Sequence, residues 1–257
     1  MSNRSLLEDY RSPLLGVAGF LLFLVVWELL QFAGPDTAKH FSFPLRIVGA
    51  VDEVVHLQAF GAAVWKSSYQ FVAGILIGSG AGILLALLLG FYRPVGQIFR
   101  PLMVAGYTLP LIALIPVLVL ILGIGSATAI TVVALFTFFP VFFVIYSAMV
   151  AVDPALIRMC RSFGGGDRQL IVDIVLPSLV PAVISGIRLG VGRGLAGLVV
   201  TELYLGSGGV GGFMLDALGT GAVDQAFVAI LVFGIANLAL TGLLRHLEKR
   251  VEIWRPR

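Results

Sequence analysis

The chain has 257 residues, of which 59% are apolar and 12% charged, and its mean hydropathy is +1.03. Soluble domains are about half apolar and a quarter charged, so this composition is that of a lipid-embedded protein. It excludes a disordered chain, a nucleic-acid-binding domain and nearly every water-soluble enzyme. The net charge of +3 records orientation in a membrane protein, not a polyanionic partner.

The elements follow in chain order. Residues 1–12 are read as an N-terminal tail carrying Arg4 and Arg11. The apolar run over 13–32 is too long for a signal-peptide core and lacks a small-x-small cleavage site, so an uncleaved first span is expected. Within 34–66, Ile47, Val51, Val54 and Val55 recur at helical spacing beside Asp52 and Glu53, which predicts an interfacial helix. A crossing needs roughly 20 residues, and the uncharged stretch 67–92 supplies one. The uncharged stretch 101–152 supplies two, over 101–122 and 127–150, turning at Gly123-Ile-Gly-Ser126. Spans over 177–204 and 225–244 complete an all-α, polytopic membrane protein with six transmembrane helices. One permease domain covers 13–244, and 245–257 forms a tail.

Lys and Arg orient it. With the N-terminus in the cytoplasm, twelve basic residues fall in cytoplasmic segments and three, Lys39, Arg46 and Lys66, outside. Placing such a charge at the bilayer centre costs roughly 3 kcal/mol, so both termini are expected to be cytoplasmic. Cys160 is the only cysteine, and His40, His56 and His246 lack metal-site spacing, so no metal centre is expected.

The segment 153–176 is long for a linker. Asp153-Pro154 starts a helix, with Leu156, Ile157, Cys160 and Phe163 as its apolar stripe and Arg158, Arg161 and Ser162 on other faces. Gly164-Gly165-Gly166 ends it, Asp167 is placed to cap a second helix, and Leu176-Pro177 stops that one and begins the fifth span. The helices either lie in the headgroup layer or form a peg for a soluble partner.

The run Arg158-Met-Cys-Arg-Ser-Phe-Gly164, nine residues, then Ile174-Val-Leu-Pro177 resembles the EAA loop of bacterial ABC-importer permeases, EAA-x3-G-x9-I-x-L-P. Gly164, Ile174, Leu176 and Pro177 match, whereas Arg158, Met159 and Cys160 replace Glu-Ala-Ala. Leu109-Pro-Leu-Ile-Ala-Leu-Ile-Pro116, Phe138-Phe-Pro140, Gly186-Ile-Arg-Leu189 and Thr201-Glu202 extend the likeness towards sulfonate, taurine and nitrate permeases, whose relatives also carry thiamine precursors. The resemblance implies a type I permease fold in a bacterial inner membrane, with 153–176 as a cytoplasmic coupling helix. It implies a second permease copy, an extracytoplasmic solute-binding protein, and two ATPase subunits that bind ATP and Mg. The chain itself has no Walker loop and is expected to hold no cofactor and perform no catalysis.

Candidate pathway residues are Tyr107, Thr108, Pro110, Arg188, Arg193 and Glu202. Charges inside a span cost too much to face lipid. Arg188 and Glu202 fall about 40° apart on the helix and Arg193 about 140° from Arg188. They either line a cavity that attracts an anion or pair between helices, with Glu28 one candidate partner. Pro110, Pro116 and Pro140 are expected to kink their spans. Gly74, Gly78, Gly82, Ala86 and Gly90, and again Gly186, Gly190 and Gly194, form small-residue seams. Gly206-Ser-Gly-Gly-Val-Gly211 matches G-x-G-x-x-G but follows no strand, so a turn or re-entrant loop is expected. A self-sufficient secondary transporter using Glu28, Glu202 and the arginines is the competing reading.

Overall fold

A computed structural model describes residues 4–32, 34, 41–206 and 208–252. Lys39, His40, Ser207, Arg255 and Arg257, which entered the sequence reading, lie outside the described residues. Helices make up nearly all the described chain, and no strand occurs in it. They are α1 (Arg4–Leu29), α2 (Pro44–His56), α3 (Gln58–Phe91), α4 (Arg93–Thr108), α5 (Ile115–Leu122), α6 (Ser126–Val150), α7 (Pro154–Ser162), α8 (Asp167–Leu205), α9 (Gly209–Gly219) and α10 (Val223–Glu252). Among the described residues, five helical stretches are long and apolar enough to cross a bilayer, or six if the bent pair α4–α5 counts as one span.

Three proline expectations resolve differently. Pro110 lacks an N–H and drives Leu109 into extended geometry, φ −62° and ψ 138°. The span expected over 101–122 is therefore a broken element that bends by 84° between Thr108 and Leu111. Pro116 causes no kink, because it sits in the first turn of α5, where its missing donor costs nothing. Pro140 is buried within α6, which runs unbroken through it.

The backbone groups into two compact units, 1–61 with 213–231, and 62–212 with 232–257. In the first unit, α2 is the helix expected from Ile47 and Val54. Those two side chains are buried while Val51 and Val55 stay exposed. Trp27 Nε1 donates to the Ser42 carbonyl (3.1 Å), Ser42 Oγ donates to Asp224 Oδ1 (2.5 Å), and Arg46 pairs with Asp224 at 3.1 Å. Glu28 accepts the Leu45 N–H and the Gln31 amide, each at 3.1 Å. Its partners are thus not the arginines proposed from sequence.

In the second unit α6 is gripped by both glycine seams. A Cβ built on Gly78 would lie 2.3 Å from the Ala134 carbonyl oxygen, and one on Gly82 would lie 2.9 Å from that of Phe138. From α8, a Cβ on Gly190 would lie 2.8 Å from Thr137 Cγ2, and one on Gly197 would lie 2.9 Å from the Phe136 ring. Both seams therefore pack within this subunit, the α3 glycines against the α6 backbone and the α8 glycines against α6 side chains, as small residues allow.

Gly78→Ala has no room to relax against the α6 backbone and is expected to cost about 1–3 kcal/mol, the range for overpacking. Gly80→Ala, one turn-face away with nothing within 4 Å, serves as control and leaves the melting temperature unchanged. Thermal unfolding of detergent-purified protein checks the pair, and equal melting temperatures for both would refute the seam.

Candidate functional site

The 153–177 segment folds as a helix, an elbow and a second helix. Asp153 caps α7 by accepting the Ala155 N–H at 2.7 Å. At the other end Gly164 donates to the Arg161 carbonyl (3.0 Å) and Gly165 to that of Cys160 (2.9 Å), the paired bonds of a Schellman stop. Gly164 has φ +78°, which side-chain-bearing residues adopt only at a cost. Gly165 packs so closely on Cys160 that a Cβ would lie 2.4 Å from its Sγ.

Three local expectations change. The apolar stripe of α7 divides, with Ile157 and Cys160 half-buried, and Leu156, Met159 and Phe163 forming an outward face on which Phe163 is 87% exposed. Met159 was missed because it occupies a motif position usually held by alanine. Asp167 does not cap the second helix. It pairs with Arg161, while Gln169 Oε1 reaches back to accept the Gly166 N–H at 3.0 Å. Nor does Pro177 end that helix. The six residues Leu170–Val175 form a π-helical turn that leads without a break into the rest of α8. A wider turn relieves the missing donor and the ring clash that proline imposes on an α-helix. Val175 and Leu179 then pack with Met149 at the end of α6.

Arg188, Arg193 and Glu202, the charged residues in the membrane-spanning part of α8, have separate fates. Arg188 Nε lies 3.0 Å from Glu248 Oε2, an ion pair whose N–H is misaligned for a hydrogen bond, and Ser185 Oγ donates to the other oxygen of Glu248. Glu248 lies on α10, which continues to Glu252, well into the stretch read as a tail. Glu202, 1% exposed, accepts from Ser67 Oγ (2.6 Å) and the Gly211 N–H (2.8 Å), while Ser67 Oγ accepts the Val210 N–H at 2.8 Å. The carboxylate and the hydroxyl thus take up free N–H groups in the first turn of α9. This replaces the shared cavity wall drawn from the Arg188–Glu202 spacing. It also explains the glycine run, since a Cβ on Gly209 would lie 2.2 Å from Glu202 Oε1.

Arg193 is exposed and makes no hydrogen bond or ion pair among the described residues. It borders a cavity of about 230 Å³ at the α4–α5 break, whose other walls include Tyr107, Pro110, Ile112, Phe136 and Phe139. Tyr107, Pro110 and Arg193 are thereby brought together. Thr108 is not among the lining residues, and its hydroxyl is spent on the Ala105 carbonyl at 2.9 Å. Phe136 and Phe139 were missed because helical spacing carries no contrast in an uncharged apolar run.

Replacing either Arg188 or Glu248 by Gln strands the other charge. Fully buried pairs lose about 3–5 kcal/mol in this way, and the partial exposure of these side chains, 34% and 13%, reduces the expected loss to about 1–3 kcal/mol. The double variant Arg188→Leu with Glu248→Leu recovers most of it. Thermal unfolding of all three variants checks this, and a double variant as unstable as the sum of the singles would remove the pair.

The profile of the family described as "Binding-protein-dependent transport system inner membrane component" matches residues 78–253. The chain is 28% identical over 232 residues to a Bacillus subtilis (strain 168) protein described as a transport permease for aliphatic sulfonates, covering 90% of this chain and 84% of that one. It is 28% identical over 234 residues to the taurine transport system permease protein of Escherichia coli (strain K12), covering 90% and 78%. It is 24% identical over 241 residues to the formylaminopyrimidine transport permease protein of Halalkalibacterium halodurans, covering 92% and 94%. Among solved structures, the fold is similar to the methionine ABC transporter MetNI in inward-facing conformations, with a TM-score of 0.61 and 16% identity over 76% of this chain and 97% of that one. It is also similar to a bacterial alginate ABC transporter solved with its periplasmic protein, with a TM-score of 0.59 and 17% identity over 96% and 98%. The family match covers more than half of the chain, so the chain belongs to the binding-protein-dependent inner-membrane components, the ABC-importer permeases.

Proposed function

We propose that this chain is the permease subunit of an ATP-driven importer and forms the pathway for a small anion such as a sulfonate, taurine or nitrate. The observation that carries the reading is mechanical. The elbow at Gly164–Gly166 opens directly into α8, a single 39-residue helix that spans roughly 58 Å at 1.5 Å per residue. Arg193 rides on that helix, and Leu156, Met159 and Phe163 present an apolar face just before the elbow.

An ATPase subunit gripping that face would push on α8 without an intervening hinge. Solute and nucleotide then act through differential affinity for inward-open and outward-open states. The full assembly is two permease copies, two ATPase subunits that bind ATP and Mg, and an external solute-binding protein. A periplasmic protein accompanies the alginate transporter to which the fold is similar. The excess of basic residues in the segments assigned to the inside supports a cytoplasmic placement of both termini and the elbow. Tyr107, Pro110 and Arg193 line the solute path.

The relative named for formylaminopyrimidine keeps a thiamine-precursor solute as the alternative, and the unpaired Arg193 favours an anion over it. A self-sufficient secondary transporter needs a carboxylate free to load and release a proton. Glu28 and Glu202 both hold hydrogen bonds, which disfavours that reading.

Phe163→Ser removes the most exposed apolar side chain of the face, and Gly164→Val forces a β-branched residue to φ +78°. Each is expected to cut co-purification with the co-encoded ATPase about tenfold, a loss of roughly 1.4 kcal/mol of docking energy, at unchanged membrane abundance. Undiminished co-purification and ATP turnover in both variants would falsify the coupling role.

A further inference from the structure

Arg193 and its cavity do not stand alone. A second cavity, about 420 Å³, is walled by Gln97, Arg100, Val104, Phe143, Tyr146 and Ser147 among others. Both cavities lie along the same two helices. On α4, Gln97, Arg100, Val104 and Tyr107 fall within about a quarter-turn of one another, and on α6 Phe136, Phe139, Phe143 and Tyr146 do the same. The two faces form one lane, with Arg100 in the lower cavity and Arg193 in the upper.

Tyr107 divides the lane. Its ring centroid lies 6.2 Å from Phe139, which walls the upper cavity, and 5.3 Å from Phe143, which walls the lower. It sits at the last turn of α4, one residue before the chain begins its 84° bend. The ring is thus at the end of a helix that Pro110 and extended Leu109 interrupt.

The chemistry of the upper cavity is specific. Its one charged wall residue is Arg193, whose guanidinium donates up to five N–H groups in a planar fork that suits an oxyanion. The remaining walls are aromatic or aliphatic and include no carboxylate. Such a pocket takes a small monoanion with an apolar tail.

We propose that Arg193 and the aromatic pocket at the α4–α5 break form a binding station for the oxyanion head of the carried solute. Tyr107, held between Phe139 and Phe143, is the barrier that parts this station from the lower chamber around Arg100. The inference rests on the permease reading above, but its test needs neither ATP nor a known solute.

Single thiols are placed in the upper cavity, Leu111→Cys or Ile112→Cys, in a Cys160→Ser chain that lacks the native cysteine. The full-length variants are held in inside-out and right-side-out membrane vesicles. They are probed with the anionic sulfonatoethyl and the cationic trimethylammonioethyl methanethiosulfonates, each rate being normalised to free cysteine. A thiol near an unpaired guanidinium is expected to favour the anionic reagent about tenfold. Arg193→Gln abolishes that preference and Arg193→Lys keeps most of it, a rescue that a packing role would not produce.

Gln97→Cys, in the lower cavity, marks the vesicle face from which that chamber opens. From this face Tyr107→Ala raises labelling of the upper thiol about tenfold. An unchanged reagent preference in Arg193→Gln overturns the station, and an unchanged rate in Tyr107→Ala overturns the barrier. If neither upper thiol reacts from either face, the cavity is not an aqueous path and the whole proposal falls. Undiminished ATPase co-purification in Phe163→Ser and Gly164→Val, with these labelling patterns intact, would instead count against the coupling role alone.

Discussion

The arrangement depends on α6 being held by bare backbone. Lipid tails are as apolar as leucine, so burial from water does not drive helices together inside a bilayer, and close packing must do it. Gly74, Gly78 and Gly82 of α3 and Gly190 and Gly194 of α8 bring two backbones onto α6 closely enough that a methyl group would collide at each position. Thr137 Oγ1 adds a hydrogen bond to the Gly190 carbonyl at 3.3 Å. The two seams use adjacent faces of α6, the α3 seam meeting Ala134 and Phe138, the α8 seam meeting Thr137, and both meeting Val133 between them. Phe139, Phe143 and Tyr146 then lie on the remaining side, facing the lane along α4, while Phe136 packs on Gly197 and borders the cavity as well. One helix therefore has a packed side and a cavity side, and the glycines determine which is which.

How much of this was readable in the sequence follows from what each signal measures. Helix placement was legible because charge-free stretches of about 20 residues have few alternatives. The seams were legible because small residues repeat at i+4, and the elbow because proline, glycine and capping residues act locally. Partner choice was not. Arg188 and Glu202 share a helix face by angle, but they are far apart in height, and each met a different neighbour. Glu248 and Ser67 became those neighbours through tertiary packing, which a one-dimensional pattern does not encode. The aromatic wall of the lane was hidden for another reason: in a run where nearly every residue is apolar, periodicity has no contrast.

The same limit explains the misreading of Pro177. Proline after leucine is an ordinary helix boundary by local rules, and a stop there would have separated the elbow from the span. Six residues of π-helical turn override the rule. A π turn is a poorer structure than the α-helix it interrupts and occurs mostly where function demands it. Here its effect is to keep one uninterrupted helix from Asp167 to Leu205. A hinge at Pro177 would absorb a push applied at the elbow. A continuous helix transmits it to Arg193 and to the Glu202 cap of α9.

That continuity gives Arg188 and Arg193 distinct work although they lie five residues apart. At about 140° around the helix, they cannot face the same neighbour. Arg188 turns to α10 and pairs with Glu248, so it ties α8 to another helix within a span, where an unpaired charge would be costly. Arg193 turns to the break in the α4–α5 pair and has no counter-ion among the described residues. An arginine left without a counter-ion in a span is tolerated where it borders water or awaits an anion. Its neighbours, three aromatic rings and a proline-broken helix end, give that charge a cavity of about 230 Å³ to act in. A push along α8 that shifts Arg193 relative to Tyr107 would change how well the cavity holds an anion. That coupling of position to affinity is what alternating access requires.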